Sequence, residues 1–96
     1  MITTTTELND SIIEYLNGLG ILCDILKMSS CGGIESGVVT INRTSMCGYD
    51  LCHGLDEEDC YKMVLELIRE HFSDPIYWIV YSGKTDDDYY LEVYIR

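Results

Sequence analysis

The sequence predicts an α+β domain: a four-stranded antiparallel sheet with two helices, in the order α-β-β-α-β-β. Three observations lead there. Two segments repeat apolar residues at helical spacing, two apolar stretches flank a glycine-rich connection, and the C-terminal stretch alternates with period two. With 96 residues, 1–96 is read as one domain.

The first helix is expected from Thr5 to Asn17. Thr4, with Glu7 three residues on, makes a capping box, and Leu8, Ile12, Ile13, Leu16 and Leu19 define one stripe. Gly18 and Gly20 suit a left-handed exit. A strand from Ile21 to Met28 follows, then a flexible connection over Ser29–Gly37, then a strand from Val38 to Arg43. Thr44 to Leu55 is expected to be irregular.

The second helix starts at Asp56, and Glu57, Glu58 and Asp59 fill its first turn, where the helix dipole favours negative charge. Cys60, Val64, Leu67, Ile68 and Phe72 form its inner stripe. Glu58, Lys62, Glu66, Arg69 and Glu70 lie outside, at spacings suited to opposite-sign pairs. Pro75 ends the helix.

Strands at Ile76–Ser82 and Tyr89–Arg96 close the chain. If Ser82 opposes Tyr89, one face of this hairpin is wholly apolar. The other then carries Tyr77, Ile79, Tyr81, Tyr90, Glu92 and Tyr94. The simplest packing puts both helices on one sheet face, leaving this tyrosine face open. The alternative puts one helix on each face.

Charge restricts the function classes. Seventeen Asp and Glu against six Lys and Arg give a formal charge of −11. Direct binding to nucleic acid or anionic lipid draws on cations that this chain lacks. A protein partner with a basic surface, such as a nuclease or CRISPR effector, fits instead, because opposite fields steer encounter. The partner-binding candidates are Glu57, Glu58, Asp59, Asp86, Asp87 and Asp88, whose carboxylates would stand in for phosphates, and Tyr77, Tyr81, Tyr90, Glu92 and Tyr94 as anchors. The competing explanation for the acids is a solvated surface and a helix start. For the tyrosines it is cross-strand pairing that only stabilises the hairpin, or association with a second copy.

Zinc, nucleophilic and calcium chemistry each have a partial pattern in the residues. Cys31, Cys47, Cys52, His53 and Cys60 contain enough zinc-ligating atoms for a small metal-stabilised domain, but paired cysteine knuckles are missing, and Cys60 also fits the core stripe. A cysteine with His53 or His71 lacks the oxyanion donors of a nucleophilic site, so a non-enzymatic protein without cofactor is expected. The Asp86–Asp88 run does not follow a calcium-loop pattern.

As a type, a short, acidic, tyrosine-rich chain resembles virus-encoded inhibitors of host defences such as anti-CRISPR and anti-restriction proteins. The resemblance assigns no residues. It implies a nucleic-acid mimic acting on a basic, nucleic-acid-handling partner. The cytoplasm, of the host cell if viral, is the expected location, since the start of the chain shows no signal-peptide pattern and no stretch suits a membrane span.

Overall fold

The structure, a computed structural model, describes residues 2–31 and 34–96, and the side chains of 29–31 and 34 lie outside that description. Its elements run α1 (Thr5–Gly18), β1 (Cys23–Cys31), β2 (Ile34–Asn42), α2 (Arg43–Cys47), a 3-10 turn (Asp50–Cys52), α3 (Glu57–His71), β3 (Tyr77–Lys84) and β4 (Asp88–Ile95). The strands form one antiparallel sheet in the order β1-β2-β4-β3. The expected α+β architecture is therefore present, and α2 and the 3-10 turn occupy the stretch expected to be irregular.

Local signals explain most boundaries. Thr4 Oγ1 accepts from the Glu7 N–H at 3.1 Å and starts α1. Glu7 accepts in turn from the hydroxyls of Thr3 and Thr4, which hold its carboxyl below the usual range, Thr3 contributing most. Asn42 caps α2 and Asp56 caps α3, each through its side-chain oxygen. Gly20, at φ 84°, supplies the left-handed residue after α1.

Strands β1 and β2 extend through much of the stretch read as a flexible connection, and only Gly32 and Gly33 of that stretch fall outside the described residues. Gly37 sits within β2 because the Asn9 amide and the Met28 sulfur pack where a Cβ would project.

Both long helices cover one face of the sheet. From α1, Leu8, Ile12 and Leu16 are fully buried. They meet the sheet residues Val39, Ile41, Leu91 and Val93 in one core, which Cys60, Val64 and Ile68 of α3 and Met46 of α2 complete. Truncating one of these aliphatic side chains to alanine costs about 2–5 kcal/mol. Leu67, expected in the inner stripe, is only half-buried, and Tyr61 is buried instead.

The β3–β4 register corrects the sequence reading. Tyr77 faces Ile95, Trp78 faces Tyr94, Ile79 faces Val93 and Tyr81 faces Leu91. The pairing is one residue away from the expected one. Lys84 and Gly83 pair with Tyr89 and Tyr90 across a tight turn, and an extra residue at Ser82 then bulges out of the ladder.

The physical consequence is a change of face. Tyr77, Ile79 and Tyr81 turn toward the helices, while Trp78 and Val80 turn outward beside Tyr90, Glu92 and Tyr94. The expected four-tyrosine face is thus divided. Tyr90 and Tyr94 stay on the open side, and Tyr77 and Tyr81 do not.

Candidate functional site

The acidic groups come together at the β3–β4 turn. Strand β4 pairs with β2 so that Asp88 lies opposite Asn42, and α2 leaves β2 at that same end. Arg43, the first residue of α2, therefore stands beside the turn. Its backbone N–H donates to the Asp87 carbonyl at 2.9 Å, and its Nε donates to the Asp86 carbonyl at 2.7 Å. The same Nε lies 3.8 Å from the Glu57 carboxylate.

Lys84, on the other side of the turn, reaches Glu58 at 4.0 Å. Two runs far apart in sequence, Glu57–Asp59 and Asp86–Asp88, thereby form one acidic end. Glu58, Asp59, Asp86 and Asp87 are exposed, and Glu57 and Asp88 are half-buried. The turn is closed by Thr85, whose N–H donates to the Asp88 carbonyl and whose Oγ1 accepts from the Asp88 N–H. None of these turn bonds uses an aspartate carboxylate.

The helix pairs expected within α3 do not close among the described residues. Glu58 pairs across to β3 instead. Arg69 donates twice, from Nε at 3.1 Å and Nη2 at 2.9 Å, to the Ile79 carbonyl. It ties α3 to the edge strand while remaining exposed.

Beside the acidic end lies a groove of about 360 Å³ between α3 and β3. Tyr61, Leu65, Tyr81 and Tyr89 line it, and Glu58, Lys62 and Lys84 form its rim. Tyr61 stacks on Tyr89 with ring centroids 4.5 Å apart, and Tyr81 meets Tyr61 edge-on at 5.3 Å. Lys84 lies over the Tyr89 ring at 5.7 Å.

The Tyr61 hydroxyl donates to the Tyr90 carbonyl at 3.2 Å, and burial, with the nearby Tyr81, pushes its pKa up. The buried Tyr89 hydroxyl has no hydrogen-bond partner at ordinary distance and stands beside the Glu57 carboxylate. Burial first, and the adjacent Glu57 carboxylate second, push it up to about 12. Tyr81 keeps 51% of its surface exposed, which makes it the accessible wall of the groove.

The open sheet face is a second, separate surface. Trp78, Val80, Val38, Tyr90 and Tyr94 are half-buried there around Glu92. Trp78 stacks on Tyr94 at 5.8 Å, and the Arg96 guanidinium covers the Trp78 ring at 4.3 Å. Trp78 and Val80 were missed as candidates because their strand was placed one residue out of register.

The alternative zinc set is not formed among the described residues. Cys60 Sγ lies 3.6 Å from the Cys52 carbonyl, and both thiols are buried, while Cys47 is exposed beside them. Burial raises the Cys60 thiol pKa, and Cys52 adds to the shift. Among the described residues, no group of three or more His, Cys, Asp or Glu side chains is arranged to hold a metal ion. Cys31, the remaining candidate, falls among the side chains outside the description. His71 stacks on Tyr15 at 4.1 Å and meets Phe72 edge-on, as a boundary residue of the core.

Comparison with protein-family models, with curated proteins and with solved structures finds no match. Among the described residues, no helix is long and apolar enough to cross a membrane.

Proposed function

We propose that this chain is a small acidic, non-enzymatic binding protein that inhibits or regulates a partner with a basic surface. The partner class is a nucleic-acid-handling protein, such as a CRISPR effector nuclease or a restriction enzyme, whose groove the carboxylates occupy as phosphates would. One observation carries the reading. Glu57 and Glu58, at the start of the acidic first turn of α3 that also carries Asp59, meet the Asp86–Asp88 turn, and the two cations between them, Arg43 and Lys84, are already engaged by Glu57 and Glu58.

Clustered charge of one sign raises the encounter rate with an opposite field and repels nucleic acid and anionic membranes. The test is competition. Purified effector nucleases and restriction enzymes are titrated with this protein, and their DNA binding is followed at low and at high salt. Displacement that fades with salt is expected. Displacement indifferent to salt, or none with any enzyme of the class, rejects the proposal.

The open face supports a second reading, assembly with a second copy or another subunit. Trp78, Val80, Tyr90 and Tyr94 lie on this face around Glu92, an aromatic and aliphatic surface of the kind that interfaces bury. Light scattering of the wild type against a Trp78→Ser/Tyr94→Ser variant tests it. A monomeric wild type at high concentration removes self-association.

A further inference from the structure

The groove between α3 and β3 calls for an occupant of its own. Its walls are almost wholly apolar, and its charged groups stand only on the rim. The walls are already assembled, since Tyr61 is stacked on Tyr89 and braced edge-on by Tyr81. Its volume lies near the low end of the roughly 300–1,000 Å³ typical of pockets that enclose a bound group. The groove is also continuous with the acidic end, because Glu58 and Lys84 belong to both and Glu57 stands against Tyr89.

From this continuity we infer that the groove takes one large apolar side chain, of leucine to tryptophan size, carried on a lysine- and arginine-rich segment of a protein partner. The inference rests on the reading of the acidic end as a surface for basic partners and names the anchor that such a partner would insert. Charge selects the occupant. A second copy of this chain would bring its own net charge of −11 against the same end. A nucleotide or other anion would find Lys62 on the rim, but Lys84 is already paired with Glu58, and Glu57 and the Asp86–Asp88 turn stand beyond it.

A basic segment satisfies both parts of the surface. Its apolar side chain is desolvated against Tyr81 and Leu65, and its cations fall toward Asp86 and Asp87. The opposite rim carries Lys62, so the segment runs with its positive charges away from α3's outer side. The result is an apolar anchor in a pocket surrounded by a polar rim, the arrangement in which interface energy concentrates.

The probes are two short fluorescein-labelled lysine-rich peptides that differ only in a central tryptophan or serine, together with an uncharged peptide bearing the same tryptophan. Fluorescence anisotropy should show the lysine-rich tryptophan peptide binding about tenfold more tightly than the serine one. Tyr81→Ala should bring the two together without changing the salt dependence. Leu65→Gln is the second variant, with circular dichroism confirming that both variants stay folded. Lys62→Glu should strengthen binding of both lysine-rich peptides.

If the two lysine-rich peptides bind equally and salt weakens both, the groove inference falls while the acidic end keeps its role. If neither binds, the acidic end fails as a site for basic segments and the inference fails with it. A tryptophan preference that survives both Tyr81→Ala and Leu65→Gln places the anchor elsewhere and overturns the assignment. Equal binding of the uncharged tryptophan peptide does the same, by removing the basic segment from the requirement.

Discussion

The β3–β4 hairpin carries two unlike surfaces. At its turn, three aspartates project beside the start of α3 and form an acidic end held by main-chain bonds. Along its outer face Trp78 stacks on Tyr94, and Val80 and Tyr90 lie on the same side with one acid, Glu92, among them. In the proposed role the first surface would act at a distance and weaken with salt, and the second would act only in contact and be nearly indifferent to salt. Substitutions can separate the two.

The largest separation comes from charge reversal. Asp86→Lys/Asp87→Lys/Asp88→Lys changes the formal charge from −11 to −5, since each substitution removes one negative and adds one positive charge. Association with a basic partner at low salt should slow by about two orders of magnitude, measured by stopped-flow mixing. An unchanged rate would remove the acidic end from the comparison.

Next comes the buried aromatic pair beneath that end. The Tyr89 hydroxyl has its pKa raised in the folded state, so the unfolded chain loses this proton first as pH rises. Stability from this group is intact below pH 10 and falls as pH climbs toward 12, by about 2 kcal/mol. Urea unfolding across that range should show the loss, and Tyr89→Phe should lessen it, with the remainder coming from Tyr61 and Cys23, which burial also pushes up. Because the buried hydroxyl has no close hydrogen-bond partner and only stands beside the Glu57 carboxylate, Tyr89→Phe should cost little at neutral pH. An equally steep loss in the variant would assign the effect to other groups.

Arg69→Ala removes the double hydrogen bond that fastens α3 to the edge strand. It should cost about 1–2 kcal/mol in denaturant unfolding and increase amide exchange in β3 more than in β2. Uniform exchange would mean that α3 does not depend on this tie.

The smallest effect concerns Asn9. It is fully buried, donates from Nδ2 to the Met28 sulfur at 3.3 Å, and leaves Oδ1 without a hydrogen bond in the protein. Asn9→Leu, similar in shape, should stabilise the fold by about 1 kcal/mol and leave both surfaces of the hairpin unaltered. A destabilised variant would show that Oδ1 is satisfied in solution.

Much of the fold was legible in the residues. Thr4 and Asp56 marked the two helix starts, and the spacing of Leu8, Ile12 and Leu16 marked the buried stripe. In β4 the inward set Tyr89, Leu91 and Val93 was readable from alternation alone. In β3 it was not. Ile76, Trp78 and Val80 are as apolar as Tyr77, Ile79 and Tyr81, so alternation fits either phase, and the bulge at Ser82 decides between them. Met46 was hidden because a five-residue helix is too short to show a period.

Each acidic run was visible, but their meeting was not. It follows from β4 lying next to β2, which brings Asp88 to Asn42, and strand order leaves no mark in either run. The groove was hidden for the same reason. It needs Tyr61 and Leu65 from α3 against Tyr81 and Tyr89 from two strands, and the misplaced phase of β3 had turned Tyr81 away.

Arg43 grips the turn by two carbonyl oxygens and leaves all three aspartate carboxylates outside those bonds. Loop shape and loop chemistry are thereby written at different positions. The carboxylates at 86 to 88 can change while the backbone that displays them keeps its form, whereas a single change at 43 would slacken the display and leave those carboxylates in place.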